Sequence, residues 1–345
     1  MENTTLLLIM VVGAALAFDL MNGFHDGCNA VSTVIYTKAL KPRTAILISA
    51  AFNFVGPFLG IKVAQTIGGV IKFDFDANMH ETMAKLVIAA LVGALLWDIL
   101  TWLWGLPVSS SHALVGGLLG AGAMALGMDG INWDGVTKVM AALILSPFIG
   151  MFVGFMLMIV SRRILAAMRL DIERADGFYR KMQIFSSSFV SFTHGSNDAT
   201  KVMGIIALFL AASNPDAVAG APLDVPTWVI LSCAVVMALG TYLSVISMRL
   251  VRTLGEGLTK LHPVHGFSAE TGAAMVIFTA SRLGLPVSTT HVVTSAVTGT
   301  GIASGLRSVG WKTFRDIILA WVITLPFCAG VAALAFFVLD KILTG

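Results

Sequence analysis

Two aspartates and two short hydroxyl-rich phrases carry the chemistry that this sequence offers. Asp26 stands in Gly23-Phe24-His25-Asp26-Gly27-Cys28-Asn29. Asp198 stands in His194-Gly195-Ser196-Asn197-Asp198-Ala199-Thr200-Lys201, 172 residues later. Gly105-Leu106-Pro107-Val108-Ser109-Ser110-Ser111-His112 returns as Gly284-Leu285-Pro286-Val287-Ser288-Thr289-Thr290-His291, at an offset of 179. Trp133 and Pro147 recur as Trp311 and Pro326 at nearly the same offset. Three anchors in one order describe a duplicated unit.

Each Pro-Val-Ser phrase ends one helix and suits the first turn of the next. Ser109, Ser110 and Ser111, and their counterparts Ser288, Thr289 and Thr290, then fall at a helix N-terminus. Backbone N–H groups there lack acceptors and the macrodipole is positive, so an anion is held without a basic side chain. Two such ends related by a pseudo-twofold could grip one tetrahedral oxyanion from both sides. The plainer alternative is that these hydroxyls only cap helices or bond back to carbonyls.

The aspartates sit in apolar surroundings, where a carboxylate needs a partner or a bound cation. Amide and hydroxyl groups accompany each: Asn22 and Asn29 near Asp26, and Ser196, Asn197 and Thr200 near Asp198. Such clusters suit a hard monovalent cation, and a carboxylate can equally carry a proton. Asp26 and Asp198 are therefore candidate sodium ligands, while His25 and His194 are candidate titrating partners. Lys201 replaces Asn29 of the first copy, to pair with Asp198 or to meet the anion. Asp19, Asn53, Asp98, Glu270 and Arg282 occur singly, and Glu270 and Arg282 could pair across one segment.

The elements that must position these groups are long and apolar. Of 345 residues 57% are hydrophobic and 12% charged, about half the charge of a soluble domain. Mean hydropathy is +0.88. Ten apolar segments are expected, near 6–23, 44–71, 83–104, 106–128, 136–160, 182–211, 227–248, 264–281, 286–306 and 313–339. The fold class is an all-α polytopic membrane protein. Continuous rather than alternating runs exclude a barrel. The N-terminal run lacks a basic leader region and carries Glu2 instead, so it reads as a retained first helix rather than a signal peptide. Cys28, Cys233 and Cys328 are scattered and give no disulfide or zinc spacing.

Charge sets the expected topology. The loops after segments 1, 5, 7 and 9 hold 15 of the 22 Lys and Arg. The opposite loops carry Asp74, Asp76 and Glu81, then Asp216 and Asp224. The basic side is expected to be cytoplasmic and both termini extracytoplasmic. Five segments per half force the second half to enter the membrane upside down, which makes an inverted-topology repeat. The expected division is 1–160 for the first repeat, 161–181 for a cytoplasmic linker and 182–345 for the second repeat. Segments 3 and 4 meet at Gly105–His112 with no loop between them, as do segments 8 and 9 at Gly284–His291. These junctions are expected to be re-entrant hairpin tips.

Residues Asn22 to Thr37, His194-Gly-Ser-Asn-Asp198 with Lys201, and the two Pro-Val-Ser-x-x-His phrases resemble the inorganic phosphate transporter (PiT) family over nearly the whole chain. The Gly-Phe-His-Asp variant is similar to bacterial low-affinity phosphate permeases. The resemblance implies phosphate held near the midplane at Pro107–His112 and Pro286–His291. It also implies a coupling cation served by Asp26, Asn29, Asn197 and Asp198. Phe24-His25 departs from the Ala-Asn of many members, exchanging an oxygen ligand for a titratable ring, and Ser196 replaces an Ala.

The expected function is a cation-coupled symporter of the cytoplasmic (inner) membrane that imports phosphate, free or as a metal–phosphate complex, with a proton coupled through Asp26 and Asp198 beside His25 and His194. The rivals are sodium coupling, sulfate as substrate and an anion channel. An enzyme is not expected, since no His-Glu-x-x-His or Gly-x-Ser-x-Gly motif occurs. Expected partners are phosphate, a proton or sodium ion and the lipid bilayer, with a homodimer left open. Neither a cofactor nor nucleic acid is expected.

Overall fold

In a computed structural model, residues 2–72, 79–169, 171–214, 223–246 and 249–344 are described. Asp74, Asp76 and Asp216 lie outside them. The described residues form twelve α-helices in chain order: α1 Glu2–Tyr36, α2 Pro42–Val55, α3 Ile61–Gly68, α4 Met79–Trp104, α5 Ser110–Leu126, α6 Trp133–Met168, α7 Ile172–Ala212, α8 Thr227–Leu243, α9 Arg249–Gly257, α10 Pro263–Arg282, α11 Thr289–Ser304 and α12 Trp311–Thr344. Four of them, at Thr5–Tyr36, Met79–Trp104, Trp133–Met168 and Trp311–Ile342, are long and apolar enough to cross a membrane.

The ten expected segments map onto these helices with two changes. The second segment is broken at Gly56–Gly60, so that α2 and α3 meet at 69°. The first segment does not stop near residue 23. It continues through the polar motif to Tyr36 as one helix, because the motif's polar groups are bonded inside the protein rather than hydrated. Within 161–181, residues 161–168 end α6 and residues 172–181 begin α7.

Helices α1–α6 and α7–α12 are two copies of one unit of opposite topology. Each contains a long first helix, a broken second element, a hairpin and a long last helix that carries an internal proline, Pro147 or Pro326. Small local bonds repeat between the copies. Ile71 bridges Ile131 and Thr259 bridges Val309, joining the broken element to the start of the last helix. The Trp133 indole donates to the Met128 carbonyl at 3.2 Å, and the Trp311 indole to the Leu306 carbonyl at 2.9 Å.

The halves interlock. Hairpin α4–α5 packs on α12, hairpin α10–α11 packs on α6, α1 packs on α8 and α7 on α2. Glycine permits these contacts. A Cβ at Gly120 of α5 would lie 2.0 Å from the Ala329 carbonyl oxygen of α12, and one at Gly154 of α6 would lie 2.4 Å from that of Ala296 in α11. Close small-residue packing of this kind drives helix association where lipid removes the hydrophobic difference.

Candidate functional site: two hairpin tips on two aspartates

Each hairpin turn is built the same way. Gly105 and Gly284 adopt φ +68° and +72°, a conformation without strain only for glycine. Leu106 N–H bonds back to the Thr101 carbonyl and Gly105 N–H to that of Trp102. Leu285 and Gly284 repeat the pair onto Ala280 and Ser281. This glycine-terminated closure satisfies the last carbonyls of α4 and α10. The glycine's own carbonyl is then held from the other half. Thr253 of α9 donates to Gly105 at 2.8 Å, and Thr66 of α3 donates to Gly284 at 2.6 Å. The short helices α3 and α9 therefore anchor the tips.

Beyond the turn, Ser109 and Ser288 cap α5 and α11, accepting from the backbone N–H of His112 and His291 at 3.1 and 3.2 Å. For these two residues the capping role is the one the structure displays. The next hydroxyls point at the aspartates. Ser110 Oγ donates to Asp26 Oδ2 at 3.1 Å, and Thr289 Oγ1 donates to Asp198 Oδ2 at 2.7 Å. The third hydroxyls meet the opposite half. Asn29 Nδ2 donates to Thr290 Oγ1 at 2.8 Å, and Lys201 Nζ, its counterpart, to Ser111 Oγ at 2.5 Å. All of these side chains are buried.

The remaining partners break the symmetry. Asp26 Oδ1 is bonded by His25 Nδ1 at 2.8 Å and by Asn29 Nδ2 at 3.2 Å. Asp198 forms an ion pair with Lys201, which also donates to the Val287 carbonyl at 2.8 Å. His194 Nε2 lies 3.2 Å from Asp198 Oδ2, and its Nδ1 lies 2.7 Å from Asn53 Oδ1. An oxygen faces each of the two ring nitrogens. One ligand atom each from Asp26, His194 and Asp198 fall within 4.8 Å of one another. Asn197 Nδ2 donates to Ser281 at 2.9 Å. Its Oδ1, with Asn22 Oδ1 and Asn29 Oδ1, is buried without a hydrogen-bond partner. Three neutral oxygens of this kind suit a hard cation.

The structure places the two tips, Asp26, Asn29, Asp198 and Lys201 in direct contact, leaves Asn197 bonded to Ser281, and corrects one pairing. Glu270 does not meet Arg282, whose guanidinium lies 5.4 Å from the centre of the Phe278 ring. Glu270 is buried, accepting from Thr33 at 2.5 Å, from Gln183 at 2.9 Å and from Ser186. Thr37 donates to Gln183 at 2.6 Å. This cluster and Asn53 were not assigned to the site from the sequence. The signal was present: Asp19, Asn22, Asp26, Asn29, Thr33 and Thr37 recur every three or four residues, one buried polar stripe along α1.

Behind the tips lies an apolar cavity of about 480 Å³ between α6 and α12. His112 and His291, rings 4.6 Å apart, form part of its wall, and Trp321 stacks on His291. The polar site and the hydrocarbon-like space are separated by this pair of rings.

Relatives match nearly the whole of this chain, and a solved structure shares its fold. The probable low-affinity inorganic phosphate transporter of Bacillus subtilis (strain 168) is 41% identical over 99% of this chain and 100% of its own length. The protein of the same description from Rhizobium meliloti (strain 1021) is 40% identical over 97% of each chain. A solved structure described as the sodium-dependent phosphate transporter superposes with a TM-score of 0.84 at 25% identity, covering 97% of this chain and 99% of that one. The phosphate transporter family matches residues 22–175 and 166–332, once for each half. Family, repeat and full-length relatives agree, and this multi-pass membrane protein belongs to the phosphate transporter family, a family of transporters and not of enzymes.

Proposed function

We propose that this chain imports inorganic phosphate across the cytoplasmic membrane together with protons, by alternating access of the buried site to the two sides. The observation that carries this reading is the convergence of both hairpin tips on both aspartates. The N-termini of α5 and α11 supply backbone N–H donors for a tetrahedral oxyanion, and the hydroxyls of Ser110, Ser111 and Thr289 turn from their present acceptors to join that of Thr290 on the anion when it binds. Lys201 supplies the one fixed positive charge. His25 with Asp26 and His194 with Asp198 supply two acid–base pairs that move protons with the anion. Both termini face the exterior in this reading, as the basic loops require.

In the first copy an asparagine, Asn29, completes the cluster, and in the second an ammonium stands at that place. One cation is therefore built into the protein, and fewer need to accompany the anion. A second reading has its own support: the unpartnered oxygens of Asn22, Asn29 and Asn197 are good sodium ligands, and Asp26 and Asp198 stand beside them. The similar solved structure is also described as sodium-dependent.

Counterflow of labelled phosphate in proteoliposomes tests the substrate, with sulfate and magnesium–phosphate offered in competition. Displacement by phosphate at concentrations where sulfate fails is expected. Equal displacement by sulfate would overturn the assignment of phosphate as the preferred anion.

A further inference from the structure

Asp98 lies on α4, seven residues before the hairpin glycine Gly105, or about 10 Å up the helix. It is fully buried, and neither carboxylate oxygen has a hydrogen-bond partner. Three other buried carboxylates are engaged: Asp26 by a histidine and two donors, Asp198 by Lys201 and Thr289, Glu270 by three donors.

The repeat shows that the fold does not require a polar residue there. Gly93-Ala94 and Gly105 in α4 and its turn correspond to Gly272-Ala273 and Gly284 in α10 and its turn, at the common offset of 179. In that register the counterpart of Asp98 is Ile277, fully buried in a hydrophobic cluster. One half fills the position with hydrocarbon, whereas the other places a carboxyl there. A bare carboxylate at that depth carries a large desolvation penalty with no attraction to offset it.

The groups that act on it are His25 and Asp26 from α1, Asp198 from α7 and the Cys328 thiol from α12. The one titratable residue of α5 is His112, in its first turn. Two of these neighbours are negative, no lysine or arginine is among them, and no hydroxyl or amide is bonded to the Asp98 carboxylate to complete a cage for a metal cation. Asp19, the other carboxyl on this side, likewise has no hydrogen-bond partner on either oxygen, but it faces the Cys233 thiol and its counterpart is the polar Ser191.

We propose that Asp98 is a second proton-binding site of this transporter, a carboxyl on the side of the phosphate site that the charge bias assigns to the exterior. Its use in import rests on the proton-coupled reading above, whereas its protonated state does not. On release the proton passes to the water or base that reaches Asp98, and the carboxylate left behind adds a third negative charge beside Asp26 and Asp198. Release is therefore favoured only when cationic charge enters the site.

Two measurements on the full-length protein in liposomes test this. Dicyclohexylcarbodiimide adds to protonated carboxyls in apolar surroundings, and peptide mass spectrometry locates the adduct. Asp98 should be labelled at pH 7, with labelling falling as pH rises, and the label should vanish in Asp98→Asn. That readout needs no gradient and no uptake. In the second measurement, Asp98→Asn, or Asp98→Ile with the residue of the other half, should keep phosphate counterflow within about twofold of wild type. Both should lose at least tenfold of the acceleration by an inward pH gradient. An unlabelled Asp98, or either variant with full acceleration, would overturn the proposal. A labelled Asp98 in a wild-type protein indifferent to the pH gradient would support the protonated site and overturn proton-coupled import.

Discussion

Asn29 and Lys201 occupy equivalent places in the two halves, and each reaches across to the third hydroxyl of the opposite hairpin tip, Thr290 at 2.8 Å and Ser111 at 2.5 Å. The same crossing bond is made once by a neutral amide and once by a cation. Geometry is thus conserved between the halves where charge is not. The charge difference sets the electrostatics of the site: Asp198 has a permanent counter-ion and Asp26 has a histidine.

Removing the ammonium should expose that dependence. Lys201→Met leaves Asp198 buried without its counter-ion and should cost about 3–5 kcal/mol of stability. The double change Lys201→Met with Asp198→Asn should recover much of it, because the uncompensated charge is then gone. Thermal unfolding in detergent reads both. Equal stability of the single variant and wild type would show that the pair is not a buried ion pair.

Anion affinity should follow the tip hydroxyls. Each hydroxyl-to-anion bond is worth about 1.5–3 kcal/mol. Ser110→Ala with Thr289→Ala should therefore weaken phosphate binding by about 100-fold or more while the protein stays folded. Calorimetry on the purified protein measures it. Unchanged affinity would remove these tips from the site.

Coupling should be separable from exchange at the second aspartate. Asp198→Asn is expected to abolish gradient-driven accumulation and to spare part of the phosphate counterflow. Full accumulation in both Asp198→Asn and Asp26→Asn would remove the carboxylates from coupling.

Packing between the halves should be sensitive at one glycine and indifferent at another. A side chain at Gly120 meets the backbone of α12 at 2.0 Å, whereas at Gly330 nothing lies within 4 Å. Gly120→Val should destabilise by about 1–3 kcal/mol or more, and Gly330→Val should stay near wild type. Unfolding midpoints compare them, and equal midpoints would contradict the interlocked packing.

Much of this was legible in the sequence because duplication prints the same constraint twice. The phrases at Pro107 and Pro286 each need a helix end, a left-handed glycine and a cap, and no other residues in the chain repeat as closely. Asp26 and Asp198 stood out because carboxylates are costly in apolar segments. The Glu270 cluster did not, since its donors come from α1, α7 and α10, and only the folded chain brings Thr33 within bonding distance of a residue 237 positions away. Helix α1 was cut short for a related reason. Hydropathy falls through His25–Asn29, yet the helix continues because each polar group there finds an internal partner or lies in the buried site. The break between α2 and α3 follows from Gly56, Pro57 and Gly60, which a hydropathy window averages away.

In the proposed function, protons drive phosphate through this site. Labelled phosphate uptake into proteoliposomes, with pH and sodium gradients imposed separately, tests it most directly. Proton coupling predicts uptake that rises with an inward pH gradient, persists without sodium and collapses with a protonophore. Uptake that required sodium and ignored the pH gradient would contradict it and would assign the coupling ion to the free oxygens of Asn22, Asn29 and Asn197.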